Sequence, residues 1–294
     1  MEKIEREPVS ESVVALLIKE MKGLPSSLQL GLGVASCLGS SVQKELLDIL
    51  SKDLNVDLVD ILKEVSHKGF MDSIDGGTTF RFAHDKIQQA GMKMLFCLSN
   101  LHTCTRSHLF STCTLDTAYE LQSKEHRRQS HMRFGLTLCS RSLNACHGHD
   151  ESSELFFTAM TQINKGGPTT VRDPNQMSII AGLNLKAGRL SISLSGYTTA
   201  FMLFEHGISY LGNDKWTSNY DLSTELYDAV AEAACALNKR TALTTHVNEL
   251  VDHAKSYDDC LHCKCIVCLL FVVGFFPLFI LCTCYYSFND KVYQ

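Results

Sequence analysis

The sequence predicts a mainly α-helical protein: a small N-terminal module holding one β-hairpin, a series of α-helical hairpins, and an apolar C-terminal helix. Three observations predict it. Apolar residues recur at helical spacing over most of the 294 residues. The period changes once, around the turn Asp75-Gly76-Gly77. Gly188, followed by Ala200, Phe204 and Gly207, marks two helices built to approach closely. Hydrophobic residues make up 45% of the chain and charged residues 20%, enough to bury a core. The net charge of −5 argues against wholesale nucleic-acid binding, which needs a basic face.

Taken in order, residues 10–22 carry Val13, Val14, Leu16, Leu17 and Met21 as one helical stripe. Pro25 fits a helix start, and the pattern continues over 28–38 until Gly39-Ser40-Ser41 breaks it. Residues 43–50 and 57–67 read as two short helices, the second with Leu58, Ile61, Leu62 and Val65 on one face. Residues 69–74 and 78–82 are short runs on either side of a Gly-rich turn, which reads as a hairpin. A further helix is expected from His84 to Leu95. Short helices, a hairpin and a closing helix are the element order of a winged-helix module, assigned to residues 8–96. Ser, Thr and Cys interrupt the period over 97–124, which reads as an insertion or loop.

Residues 125–258 return to helical spacing. Helices are expected over 126–143, 155–163, 177–193, 197–211, 221–238 and 241–257, with a polar turn at 146–151 and Trp216 in a connection. The spacing of Gly188, Ala200, Phe204 and Gly207 is that of a tetratricopeptide repeat, in which small residues let antiparallel helices touch and an aromatic ring fills the gap. Asn184 and Ser191 stand where such repeats usually carry Trp and Tyr.

The sequence carries none of the common catalytic motifs. There is no Gly-Lys dipeptide for a P-loop, no His-Glu-x-x-His and no Gly-x-Ser-x-Gly. The only Asp-Glu dipeptide, Asp150-Glu151, follows His149 and no buried strand, so it does not read as a Walker-B element. Cys146, His147, His149, Asp150 and Glu151 read as a solvated turn in preference to a metal site. Cys260, Cys263, Cys265 and Cys268 are packed too tightly to enclose zinc, because their two pairs are one residue apart. His84-Asp85 reads as a helix start with a first-turn carboxylate. Glu225, Asp228 and Glu232 form an acidic stripe that reads as a solvated face.

The run from Phe80 through Phe82, His84, Asp85, Gln88 and Gln89 to Ala90 resembles a motif of large multidomain signalling proteins of cyanobacteria and diatoms. In these an AAA/STAND-type ATPase, often associated with sensor histidine kinases or Ser/Thr kinases, precedes a helical-repeat region. Residues 34–39, His131 with Gly135, Asn184 with Gly188, and then Ala200, Phe204, Gly207, Trp216 and Tyr220 continue the family's order. The resemblance covers about residues 8–258 and lacks the nucleotide-binding core. It implies a winged-helix-like lid followed by repeats that bind a protein partner. The expected function is a non-catalytic signalling scaffold or regulatory fragment. The alternatives are a regulatory chain that completes an ATPase or kinase in trans, and a winged-helix DNA-binding protein. No cofactor, nucleic acid or small-molecule ligand is expected.

Residues 266–288 are 23 uncharged positions, which as a helix would span about 34 Å. That predicts a transmembrane helix, a tail-anchored protein with its N-terminal part in the cytosol, and lipidation of Cys260, Cys263, Cys265 and Cys268 beside the membrane. The rival expectation is that the tail is translated intron, which leaves a cytoplasmic protein.

Overall fold

The protein is mainly helical with one small three-stranded sheet. The structure, a computed structural model, describes residues 19–83, 115–144, 149–263 and 265. It divides into two compact units, Met1–Thr170 and Val171–Gln294.

In the first unit, helix α1 (Ser26–Leu38) starts directly after Pro25. Strand β1 (Ser41–Gln43) follows, then α2 (Lys44–Leu54) and α3 (Leu58–His67). Asp57 caps α3: its carboxylate accepts the Asp60 N–H at 3.0 Å. Strands β2 (Met71–Ile74) and β3 (Thr79–Phe82) form the expected antiparallel hairpin, with Ile74 opposite Thr79. β1 pairs with the other edge of β3, giving the order β1-β3-β2. Alternation along β3 turns Phe80 and Phe82 inward and Arg81 out. Phe80 is fully buried, as are Leu28, Leu32, Leu47, Leu50, Leu58 and Leu62 of the three helices.

The same unit contains a long antiparallel pair, α4 (Leu115–Asn144) and α5 (His149–Gly166). α4 begins inside the stretch read as an insertion or loop, so residues 115–124 are helical and correct that expectation. α5 takes in His149, Asp150 and Glu151, which were expected in a turn. Arg133 on α4 reaches Asp53 at the end of α2, at 2.9 Å.

The second unit is an all-helical series. α6 (Pro174–Ser193) carries proline in its first turn, where the missing N–H costs nothing, and is capped by Asp173. α7 (Tyr197–Tyr210), the single turn α8 (Lys215–Ser218), α9 (Tyr220–Ala236) and α10 (Arg240–His253) follow. α6 packs on α7, α7 on α9 and α9 on α10. A 3-10 turn, Asp258–Cys260, and helical residues 261–263 then fold back onto α9 and α10.

Among the described residues no helix is long and apolar enough to cross a membrane. The expected membrane, tail-anchored localisation is corrected on that finding. Residues 266–288 themselves lie outside the described residues.

Candidate functional site

The residues singled out in the sequence fall into two groups, and the first is a set of helix–helix interlocks. Gly188 on α6 faces the Phe204 ring on α7 so closely that a Cβ there would sit 2.2 Å from Cε1. Only glycine fits that approach. Phe204 and Ala200 are fully buried. A Cβ on Gly207 would lie 3.3 Å from both the Ala181 carbonyl oxygen and Asn184 Cβ. Asn184 is fully buried too, and its side-chain amide donates to the Ile180 carbonyl at 3.1 Å. Gly188, Phe204 and Gly207 therefore lie at the packed face between α6 and α7, with Ala200 buried one turn away on α7.

The α4–α5 pair repeats this device. A Cβ on Gly135 would lie 2.6 Å from Ile163 Cγ1, and one on Gly166 would lie 3.0 Å from the Arg128 carbonyl oxygen. Ala159, Ile163 and Gly166 have the same spacing as Ala200, Phe204 and Gly207. His131 takes the place of Asn184, four residues before the glycine; its Nδ1 lies 2.7 Å from Gln162 Oε1 in the buried interface. Sequence reading overlooked this second interlock, although the Ala-x3-apolar-x2-Gly spacing was its signal.

Burial, only partly offset by the Gln162 hydrogen bond, pushes the His131 pKa below the ordinary histidine value, with Lys165 and Arg127 adding to the fall. The unfolded chain therefore binds more protons than the folded one between the depressed value and about 6.5. His131 contributes stability that is full above about pH 6.5 and is lost as the pH falls through that window. His131→Gln is expected to flatten the melting temperature over pH 5–7. An unchanged slope would contradict the burial of a neutral imidazole.

The second group surrounds Trp216. Its ring stacks on His253 at 4.8 Å and 2°, and lies 5.1 Å from Tyr227. Tyr227 meets His246 edge-on at 5.7 Å, and His246 meets Phe201 at 6.5 Å. The rings thus link α7, α8, α9 and α10. The Trp216 indole N–H donates to Glu249 at 3.0 Å, and Lys215 pairs with the same oxygen at 3.3 Å. The indole first, then Lys215 and His253, hold the Glu249 carboxyl below its usual range against partial desolvation. His246 Nε2 lies 2.7 Å from Glu205, while its buried Nδ1 has no partner among the described residues. Tyr220 donates to Asp259 at 2.5 Å and accepts the Lys255 N–H at 2.7 Å.

Neither group assembles a nucleophile. The Cys263 thiol donates to Asp228 at 3.0 Å; burial, then the Asp228 charge, pushes its pKa far above the thiol range. Burial likewise pushes Cys37 up to about 12. Among the described residues no cluster of three or more His, Cys, Asp or Glu could hold a metal ion.

Phe82 is buried at the end of β3, facing Met71 across the hairpin. His84, Asp85, Gln88, Gln89, Cys146, His147 and Cys268 lie outside the described residues. Of the cysteines expected to carry lipid, Cys260 and Cys263 are fully buried in the second unit's core and Cys265 is exposed. Glu225 and Asp228 of the acidic stripe are not simply solvated: Glu225 pairs with Arg189 at 2.9 Å, and Asp228 holds His262 at 2.7 Å. Comparison with protein-family models, curated proteins and solved structures returned no match.

Proposed function

We propose that the chain is a non-catalytic signalling scaffold or regulatory fragment that binds a protein partner through its helical hairpins. The observation that carries this reading is the repeated interlock, Gly135 against Ile163 and Gly188 against Phe204. Stacked hairpins of tetratricopeptide type are rigid frames whose exposed helix faces are free to vary, and binding is what such faces do. The element order of the first unit, helix, strand, two helices and two strands with sheet order β1-β3-β2, supports reading it as a winged-helix-like module. The exposed face of α3 and the residue that ends it set Asp60 and Glu64 against Lys63 and Lys68, which is no basic stripe for DNA.

Ile179 on α6 and Met202 on α7 test the reading, because both are large and apolar yet 63% and 51% exposed. Ile179→Glu and Met202→Glu are expected to leave the stability within about 0.5 kcal/mol of the parent. Each is expected to abolish retention of a protein that the unmodified full-length chain holds in a pull-down. Retention of the same proteins by both variants would contradict binding through these helices.

A further inference from the structure

The chain beyond α10 does not simply leave the fold. Ser256 and Asp259 form a reciprocal start: the Ser256 N–H donates to Asp259 Oδ2 at 2.9 Å, and the Asp259 N–H donates to Ser256 Oγ at 3.3 Å. The turn that follows places Cys260 and Cys263 in one cluster with Ala231 and Ala234 of α9 and Leu250 and Val251 of α10. Its relation to the last hairpin repeats that of α9 to the hairpin before. α9 packs on α7 and α6, and the turn packs on α10 and α9. α6 is linked to the start and middle of α9 by Ser178–Asn219 at 2.7 Å and Arg189–Glu225 at 2.9 Å. α9 is linked in the same way to the turn by Tyr220–Asp259 at 2.5 Å and Asp228–His262 at 2.7 Å.

We infer that residues 256–263 are a releasable strap, occupying the face that the first helix of a further hairpin would take. The strap buries only two small side chains, Cys260 and Cys263, while its other fastenings are exposed, as at Asp228–His262, or only part-buried, as at Tyr220–Asp259. It therefore has far less apolar area to lose than α9 or α10, and it opens without the rest of the unit unfolding. When open it uncovers the Ala231, Ala234, Leu250 and Val251 face. This goes beyond the scaffold reading, and its test involves no partner.

The two buried thiols report the opening. The full-length protein is labelled with iodoacetamide under native conditions, each cysteine is followed by peptide mass spectrometry, and amide exchange of α6 and α7 is measured alongside. Exposed Cys265 is expected to label quickly, and Cys260 and Cys263 slower by about 100-fold or more. Asp228→Ala removes the partner of His262 and Cys263, and Tyr220→Phe removes the hydroxyl that holds Asp259. Each is expected to accelerate labelling at both thiols about tenfold with α6 and α7 exchange unchanged. Three results would overturn the strap. One is labelling of Cys260 and Cys263 as fast as Cys265. Another is acceleration that appears only together with faster α6 and α7 exchange. The third is two variants that label as the parent does.

Discussion

Phe204→Ala is expected to destabilise the second unit by about 3–5 kcal/mol, the cost of removing a fully buried ring from a packed interface. The loss should be near the upper part of that range. The ring lies flat against a glycine, and the Gly188 backbone has no side chain with which to refill the space. The corresponding fall in melting temperature is roughly 10–20 °C, read by far-UV circular dichroism. A change within a few degrees would mean that the ring does not pack as described.

The opposite operation on the other pair has an effect of similar size. Gly135→Val places branched atoms where even a Cβ would sit 2.6 Å from the Ile163 backbone nitrogen and 2.9 Å from the Ala159 carbonyl oxygen. Backbone atoms cannot turn aside as a flexible side chain can, so α4 and α5 must separate. Overpacking of this kind costs about 3 kcal/mol. Gly182 supplies the contrast, because it is also inside a helix yet has nothing within 4 Å of its Cβ position. Gly182→Ala is expected to stabilise by about 0.5–1 kcal/mol through helix propensity alone. Two helical glycines are thus expected to respond with opposite signs. Gly135→Val with parental stability would contradict the Gly135–Ile163 interlock.

The Gly188–Phe204 contact was legible in the sequence because its signal is local: small residues and a ring at fixed spacings require close helices whatever surrounds them. The hairpin of β2 and β3 was legible for the same reason, through Asp75-Gly76-Gly77. β1 was not, because three residues with only Val42 turned inward are too few to show a period of two. The start of α4 was hidden by residues such as Thr117 and Ser123, whose weak helix propensity is a poor guide within a long helix. The Gly135–Ile163 interlock escaped because an aliphatic replaces the ring and because its connection is longer. Gly135 and Ala159 are 24 positions apart, against 12 for Gly188 and Ala200. Trp216 and Tyr220 were found by resemblance, but their partners Glu249, His253 and Asp259 lie far along the chain, and no spacing rule joins them. The strap announced itself by Ser256-x-x-Asp259, a helix-start signature overshadowed by the apolar run that follows.

The interlock of glycine and ring is the central claim, and a double-mutant cycle on Gly188 and Phe204 tests it most directly. Gly188→Ala alone is expected to destabilise, because its methyl group meets the ring. In a Phe204→Ala background the same change is expected to stabilise by about 1 kcal/mol, since the methyl group enters vacated space and alanine favours the helix. A reversal of sign is the predicted result. Equal effects of Gly188→Ala in both backgrounds would contradict the interlock, and with it the repeated hairpin on which the scaffold reading rests.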